Sequence, residues 1–314
     1  MKSEQFLYLG SPTVSADILK KLIDENLPIT SVVSKEPKRR TRGSALSVTP
    51  VEKVAKYYNL NVFYNLDDID LNNYSLGIVV AYGKLIPNRI ISNLRLVNIH
   101  FSLLPKYRGA APVERAILSG EHVTGVSLME IAEDLDAGDI FDQIEVRIGE
   151  TDTLNILYEK LATKSIDILV KNLKSDVTAR TEPMTYSAAN LGRPTRQTGM
   201  VTWAKKISTE ELRISTYDTV KQAFAKIRIG GAYFYYTDLK VKVIEARILD
   251  SHEIIHNDEL FDLKLSDNRL VLTLSDGFIE LFKVIPQSKK EMFGSDFYNG
   301  FVKMKKIYKI DPYP

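Results

Sequence analysis

The sequence predicts an α/β protein built on a doubly wound, mostly parallel sheet, followed by a second, smaller β-rich domain. Short runs rich in β-branched and aromatic residues alternate with stretches of helical period up to Leu173, the pattern of strands joined by crossover helices. From Lys174 to Met200 apolar periodicity stops and Ser, Thr, Arg, Pro and Gly dominate, as in an interdomain linker. Beyond it, apolar runs return in alternating, strand-like form. These shifts divide the chain into residues 1–204, with the linker starting at about 174, and residues 205–314.

Gln5 to Leu9 reads as the first strand, and Gly10-Ser11-Pro12 turns it into a helix over Ala16 to Glu25, where Ile18, Leu19, Leu22 and Ile23 share a face. Ile29 to Val33 is a second strand, and a helix from Pro50 to Tyr58 starts with Pro after Thr49, the first helical position that proline suits. Leu76 to Val80 is a continuous apolar run of the kind buried on both faces of a parallel sheet, and Leu96 to His100 is a further strand. Strands follow at Val126 to Ile131 and Ile140 to Val146, then a helix from Leu154 to Leu173. In the second domain a helical stretch, Ser208 to Arg228, leads to strands at Ala232 to Tyr236, Val241 to Ile248, Leu270 to Leu274 and Phe278 to Val284.

Composition excludes several function classes. The 42 Lys plus Arg against 40 Asp plus Glu leave a net charge of +2 over 314 residues, so affinity for a polyanion must come from a local patch. Cysteine is absent, which removes disulfides, thiolate metal sites and a Cys nucleophile. No run approaches the ~20 apolar residues a membrane span requires, and the chain enters its first strand without a signal-peptide core. A soluble cytoplasmic protein is expected. Gly10-Ser11-Pro12 is not the Gly-x-Gly-x-x-Gly phosphate cradle of a dinucleotide-binding dehydrogenase.

Of the four histidines, only His100 sits among other candidate catalytic groups. Residues two apart on a strand share a face, so Asn98 and His100 can both point into the crevice at the strand's carboxyl end, where open α/β sheets bind ligands. An amide donor beside an imidazole suits a reaction that builds an oxyanion while a proton moves, such as acyl or formyl transfer. The turn Glu133-Asp134-Leu135-Asp136-Ala137-Gly138 follows the next strand and can bring Asp136 beside His100, to hold the ring and stabilise its cation. His252 and His256 lie four apart without acid support and read as a solvated loop, so no metal is expected.

The run Asn98-x-His100-x-Ser102-Leu103-Leu104-Pro105, with Arg108-Gly109-Ala110-Ala111-Pro112 and Leu135-Asp136-x-Gly138, resembles the 10-formyltetrahydrofolate-dependent formyltransferases. Leu9-Gly10-Ser11-Pro12, Ala81-Tyr82-Gly83-Lys84-Leu85-Ile86-Pro87, Thr202-Trp203-Ala204-Lys205-Lys206-Ile207 and Lys289-Lys290-x-Met292 extend the likeness over most of the chain, the last two toward the branch acting on methionyl-tRNA. The resemblance implies a Rossmann-like catalytic domain, a small C-terminal barrel of oligonucleotide-binding type that grips tRNA, and a monomer. It implies 10-formyltetrahydrofolate as co-substrate and initiator methionyl-tRNA as acceptor. Asn98 and His100 would stabilise the tetrahedral oxyanion, and Asp136 would orient His100 and help take the amine's proton. Tyr82, Gly83, Ser102, Leu103, Leu104, Pro105 and Asp134 would line the folate pocket.

Lys35, Lys38, Arg39, Arg40 and Arg42 place five cations within eight residues on the loop after the second strand, on the same sheet edge as His100. Polyanion contact is the use expected of Lys38, Arg39, Arg40 and Arg42, and of Lys289 and Lys290 in the late cluster that continues with Lys303, Lys305, Lys306 and Lys309. Against the family's usual pattern, Ser11 replaces Thr, Val14 an aromatic residue, Glu130 a less charged one, and Ile229-Gly230-Gly231-Ala232 a Pro- and Trp-containing turn, while the loop lacks lysines near Ser44 and Ala45. A sugar-nucleotide N-formyltransferase shares the Asn98, His100 and Asp136 set, and a non-catalytic RNA-binding paralogue is a second alternative. Glycinamide ribonucleotide formyltransfer needs no second domain.

Overall fold

Seven strands in the order β5-β2-β1-β6-β7-β8-β9 form the sheet whose carboxyl edge carries the site loops. The computed structural model describes residues 4–39, 46–174, 185–250 and 261–303. Arg40, Arg42, Ser44, Ala45, His252, His256, Lys305, Lys306 and Lys309 lie outside the described residues. The chain forms two compact units, the first of Met1–Val113, Val123–Ile148 and Ile156–Lys205, the second of Glu114–His122, Gly149–Asn155 and Lys206–Pro314.

The chain opens with β1 (Phe6–Gly10), α1 (Thr13–Asp24) and β2 (Ile29–Val33), followed by the short strands β3 (Lys38–Arg39) and β4 (Leu46–Ser47). Then come α2 (Pro50–Tyr57), β5 (Asn61–Phe63), β6 (Leu76–Val80), α3 (Asn88–Ile91) and β7 (Leu96–His100). Strands β1, β2, β5, β6 and β7 are parallel, and all five residues of β1 and of β6 are buried, as expected for strands covered on both faces. Strand order runs outward from β1 in both directions, to β2 on one side and β6 on the other, which opens the switch-point crevice of a doubly wound sheet beside their carboxyl ends. At that end Gly10 needs to lack a side chain, because a Cβ would lie 1.9 Å from Ser15 Oγ and 2.9 Å from the Val80 carbonyl.

After α4 (Pro112–Leu118), the chain adds β8 (Val123–Glu130) antiparallel to β7, β9 (Ile140–Arg147) antiparallel to β8, and then α5 (Leu154–Leu173). The segment expected to be an interdomain linker has another role where it is described. Residues 185–205 belong to the first unit and bridge onto it at Lys174–Tyr186, Ile140–Thr195 and Arg108–Trp203. Backbone pairing with residues distant in sequence, not local periodicity, fixes this stretch, and for that reason it reads as a linker in sequence.

In the second unit the helix expected from Ser208 to Arg228 is shorter. A 3-10 turn at Glu210–Leu212 precedes α6 (Val220–Ile229), whose start is set by a capping box between Thr219 and Gln222. Gly230 and Gly231, both at φ +86, end α6 in a conformation that glycine adopts without strain. There follow β10 (Tyr233–Tyr236), β11 (Leu239–Leu249), β12 (Leu263–Ser266), β13 (Arg269–Leu274), β14 (Gly277–Pro286), β15 (Met292–Phe293) and α7 (Gly294–Phe297). They build an antiparallel half-barrel in the order β10-β11-β14-β13-β12, with β15 on β14, closed over a core that includes Phe224, Phe234, Leu272 and Phe297.

Candidate active site

Strand β7 lies between β6 and β8, with Asn98 opposite Val79 and Met129 and His100 opposite Ser127. His100 is 5 % exposed and Asn98 is half-buried. The ring of His100 is held from both sides. Its Nε2 lies 2.9 Å from the Tyr107 carbonyl, which can only accept, so this nitrogen carries a proton. Its Nδ1 lies 3.6 Å from Asp136 Oδ2, and the same oxygen accepts a 2.8 Å hydrogen bond from the Gly109 N–H. Protonation at Nδ1 therefore completes an ion pair with a carboxylate already in place.

Both partners of His100 sit on strained or tightly packed backbone. Tyr107 is at φ +60 and Asp136 at φ +50, a region that non-glycine residues seldom occupy. The Tyr107 N–H donates to Thr202 Oγ1 at 2.8 Å, which ties its loop to the 185–205 segment. The Asp136 turn is gripped by Gln197, whose amide nitrogen donates to the carbonyls of Asp136 at 2.9 Å and Gly138 at 2.8 Å. Gln197 Oε1 accepts from Arg108 Nε at 3.1 Å and Nη2 at 2.6 Å. At Gly138 any Cβ would lie 1.9 Å from the Glu130 carbonyl, so only glycine lets the turn fold back on β8.

Tyr107 and Gln197 are not singled out by sequence, and Thr202 stands out only as part of the Thr202 to Ile207 motif, with no role beside His100. No local pattern announces them: Gln197 lies 61 residues from the carbonyl of Asp136 and 89 from the guanidinium of Arg108 that it binds.

The residues expected around folate divide into two groups. Gly83, at φ +67, and Asp134 are exposed, and Leu85 and Leu135 beside them are 92 % and 56 % exposed. Asn88 donates to Glu133, which ties these two loops together. Leu103 and Pro105 are half-buried. Leu104 is 4 % exposed; its N–H donates to Ser127 Oγ at 3.1 Å and its carbonyl accepts from Gln143 Nε2 at 3.1 Å, so side chains from β8 and β9 hold the backbone of this wall.

Two of the expected residues lie deeper. Ser102 is fully buried and its hydroxyl donates to the Lys106 carbonyl at 2.6 Å, closing the turn. Tyr82 is 3 % exposed and packs in the core with Leu9, Val33, Val79 and Ile90, where burial raises its phenol above the usual range.

The basic loop begins as a two-stranded ribbon, Lys38 paired with Ser47 and Arg39 with Leu46, both cations exposed. Lys289 and Lys290, in the second unit, are exposed on the turn leaving β14, which Ser288 makes at φ +61.

Residues 4–173 match the family described as formyl transferase, and residues 206–302 match the formyl transferase C-terminal domain. This chain belongs to the formyl transferase family. Among curated formyl transferase relatives, methionyl-tRNA formyltransferase of Sulfurihydrogenibium sp. (strain YO3AOP1) is 33 % identical over 306 residues, covering 90 % of this chain and 93 % of the relative. That of Thermosipho africanus is 34 % identical over 285 residues, covering 88 % and 87 %. Two solved formyl transferase structures share the fold. WlaRD, a sugar 3N-formyl transferase, superposes with a TM-score of 0.62 at 21 % identity over 92 % of this chain and 100 % of its own. Methionyl-tRNA formyltransferase from Clostridium thermocellum does so with a TM-score of 0.55 at 17 % identity, over 82 % and 98 %.

Proposed function

We propose that this formyl transferase moves the formyl group of 10-formyltetrahydrofolate onto the α-amino group of initiator methionyl-tRNA, as a cytoplasmic monomer serving translation initiation. The observation that carries the reading is the His100–Asp136 pair, 3.6 Å apart at the carboxyl edge of the sheet, in a chain whose curated relatives named for this reaction align over both halves.

The amine's lone pair forms the new C–N bond at the formyl carbon, and the bond to N10 of the folate then breaks. Asn98 donates to the oxygen as it becomes negative between these events, and the imidazole of His100 beside it steadies that charge. Asp136 stabilises the His100 cation and helps take the proton the amine sheds, which is passed on to N10 as it departs. General acid–base help of this kind is worth about 10²–10⁴-fold. The exposed apolar side chains of Leu85 and Leu135, with Gly83 and Asp134 beside them, supply a surface of the mixed character that a pterin and its linker require. No step needs a metal.

Lys38, Arg39, Lys289 and Lys290 are exposed cations suited to phosphate and support an RNA acceptor over a sugar nucleotide. Incubation with 10-formyltetrahydrofolate and either charged initiator tRNA or a nucleotide-linked amino sugar decides between them. N-formylmethionine released from the tRNA is the expected product, and formylation of the sugar alone would overturn the reading.

A further inference from the structure

The chain has a single tryptophan, and it is left largely uncovered: Trp203 is 57 % exposed. It is nonetheless held firmly. The Arg108 N–H donates to the Thr202 carbonyl at 2.9 Å and the Ala204 N–H to the Arg108 carbonyl at 2.7 Å, so the backbone on each side of Trp203 is paired with the loop that ends at the Asp136 carboxylate. A Cβ on Gly109 would lie 3.0 Å from the Ala204 carbonyl, so the two segments approach closely at a residue without a side chain. An indole exposed on a backbone paired at both flanking residues, with Val201 and Met200 40 % and 79 % exposed just before it in the chain, offers apolar surface that water covers at a cost.

The position of that face selects its occupant. Thr202 receives the Tyr107 N–H, and the Tyr107 carbonyl receives the proton on His100 Nε2, so Trp203 is joined to the reacting centre through two hydrogen bonds. An aminoacyl group presented to His100 is attached by one ester bond to the terminal nucleoside of its tRNA, and that nucleoside has an unpaired base with two open π-faces. Resting on the tRNA reading of the function, we propose that Trp203 is the stacking platform for the terminal base of the acceptor tRNA's 3′ end. It holds the nucleoside and thereby positions the amino acid; it takes no part in proton transfer.

Stacking of one base is typically lost with about a tenfold to hundredfold weakening. Trp203→Ala is expected to raise the KM for methionyl-tRNA by that factor and to leave the KM for 10-formyltetrahydrofolate unchanged, and Trp203→Phe should recover most of the loss. Because Trp203 is the only indole, its fluorescence reports on the site directly. An uncharged RNA minihelix ending in CCA should quench it, and the same minihelix without the terminal adenosine should quench it far less. An enzyme that formylates methionyl-tRNA but shows equal fluorescence with both minihelices and a normal tRNA KM for Trp203→Ala would overturn the platform while sparing the function. Absence of formylation with the adenosine-dependent quench intact would overturn the function and keep the platform as an RNA-end site, and loss of both would remove the two together.

Discussion

Gln197 grips Asp136 by the backbone: its amide donates to the Asp136 carbonyl at 2.9 Å while the carboxylate of the same residue stands 3.6 Å from the ring of His100. The same side chain accepts twice from Arg108, so a residue far along the chain ties the two loops that flank His100. Gln197→Ala removes these bonds and frees a turn held at φ +50. The expected result is a fall in kcat of about tenfold or more, the size of one or two lost hydrogen bonds, with little change in either KM. A changed pH profile of kcat distinguishes positioning of Asp136 from simple loss of stability, which would appear as a lower Tm with the profile unmoved.

Asp136→Asn keeps an oxygen for the Gly109 N–H, which the carboxylate accepts at 2.8 Å, but removes the negative charge facing Nδ1. Turnover is expected to drop by about 10²–10⁴-fold with folate binding retained, and His100→Ala should fall at least as far while the far-ultraviolet circular dichroism is unchanged. Steady-state kinetics with a folate-binding titration check this. A fully active Asp136→Asn would show the charge to be dispensable.

Lys38 and Arg39 stand exposed on a two-stranded ribbon whose one apolar side chain, Leu46, is itself exposed. Replacing both with Ala should raise the KM for tRNA and lower the slope of log KM against log salt by up to about 2, two phosphate contacts' worth, with no effect on folate. Measurements at a series of salt concentrations are needed, since a single one cannot separate a phosphate contact from a general loss.

Glu211 is held down from an ordinary 4.5 to about 2 by hydrogen bonds from Arg115, and then by the Ser208 N–H. A carboxylate whose folded pKa is depressed stabilises fully above its ordinary value and ceases to do so as pH falls through the folded one. The advantage of the wild type over Glu211→Gln in urea midpoint is therefore expected to be constant from pH 7 to 5, to shrink below about 4.5 and to vanish near 2. The partial exposure of this ion pair keeps the effect small. A gap that stays constant between pH 5 and 3 would remove Glu211 from the acid response.

Local chemistry made much of this molecule legible. Strands β2, β6 and β7 and helix α5 fall at the bounds that apolar runs and helical period predict, because each buries a face whose spacing is written in consecutive residues. The short β12 and β15 were not foreseen: four and two residues carry too little pattern, and their partners β13 and β14 define them. Tyr82 and Ser102 show what residue type alone does not record: the ring of one is buried in the core, and the hydroxyl of the other closes a turn.

What the sequence by itself determined is the set of chemical groups and the strand that presents them: Asn98 and His100 two apart on β7, a carboxylate at Asp136, glycines where only glycine fits, and a cationic stretch after β2. The tertiary structure alone decided how those groups meet. The distance from Asp136 to His100 and the conversion of an apparent linker into the clamp built by Gln197, Thr202 and Ala204 depend on hydrogen bonds between residues far apart in the chain. Such bonds form only when the sheet has brought their partners together, so no periodicity along the chain records them.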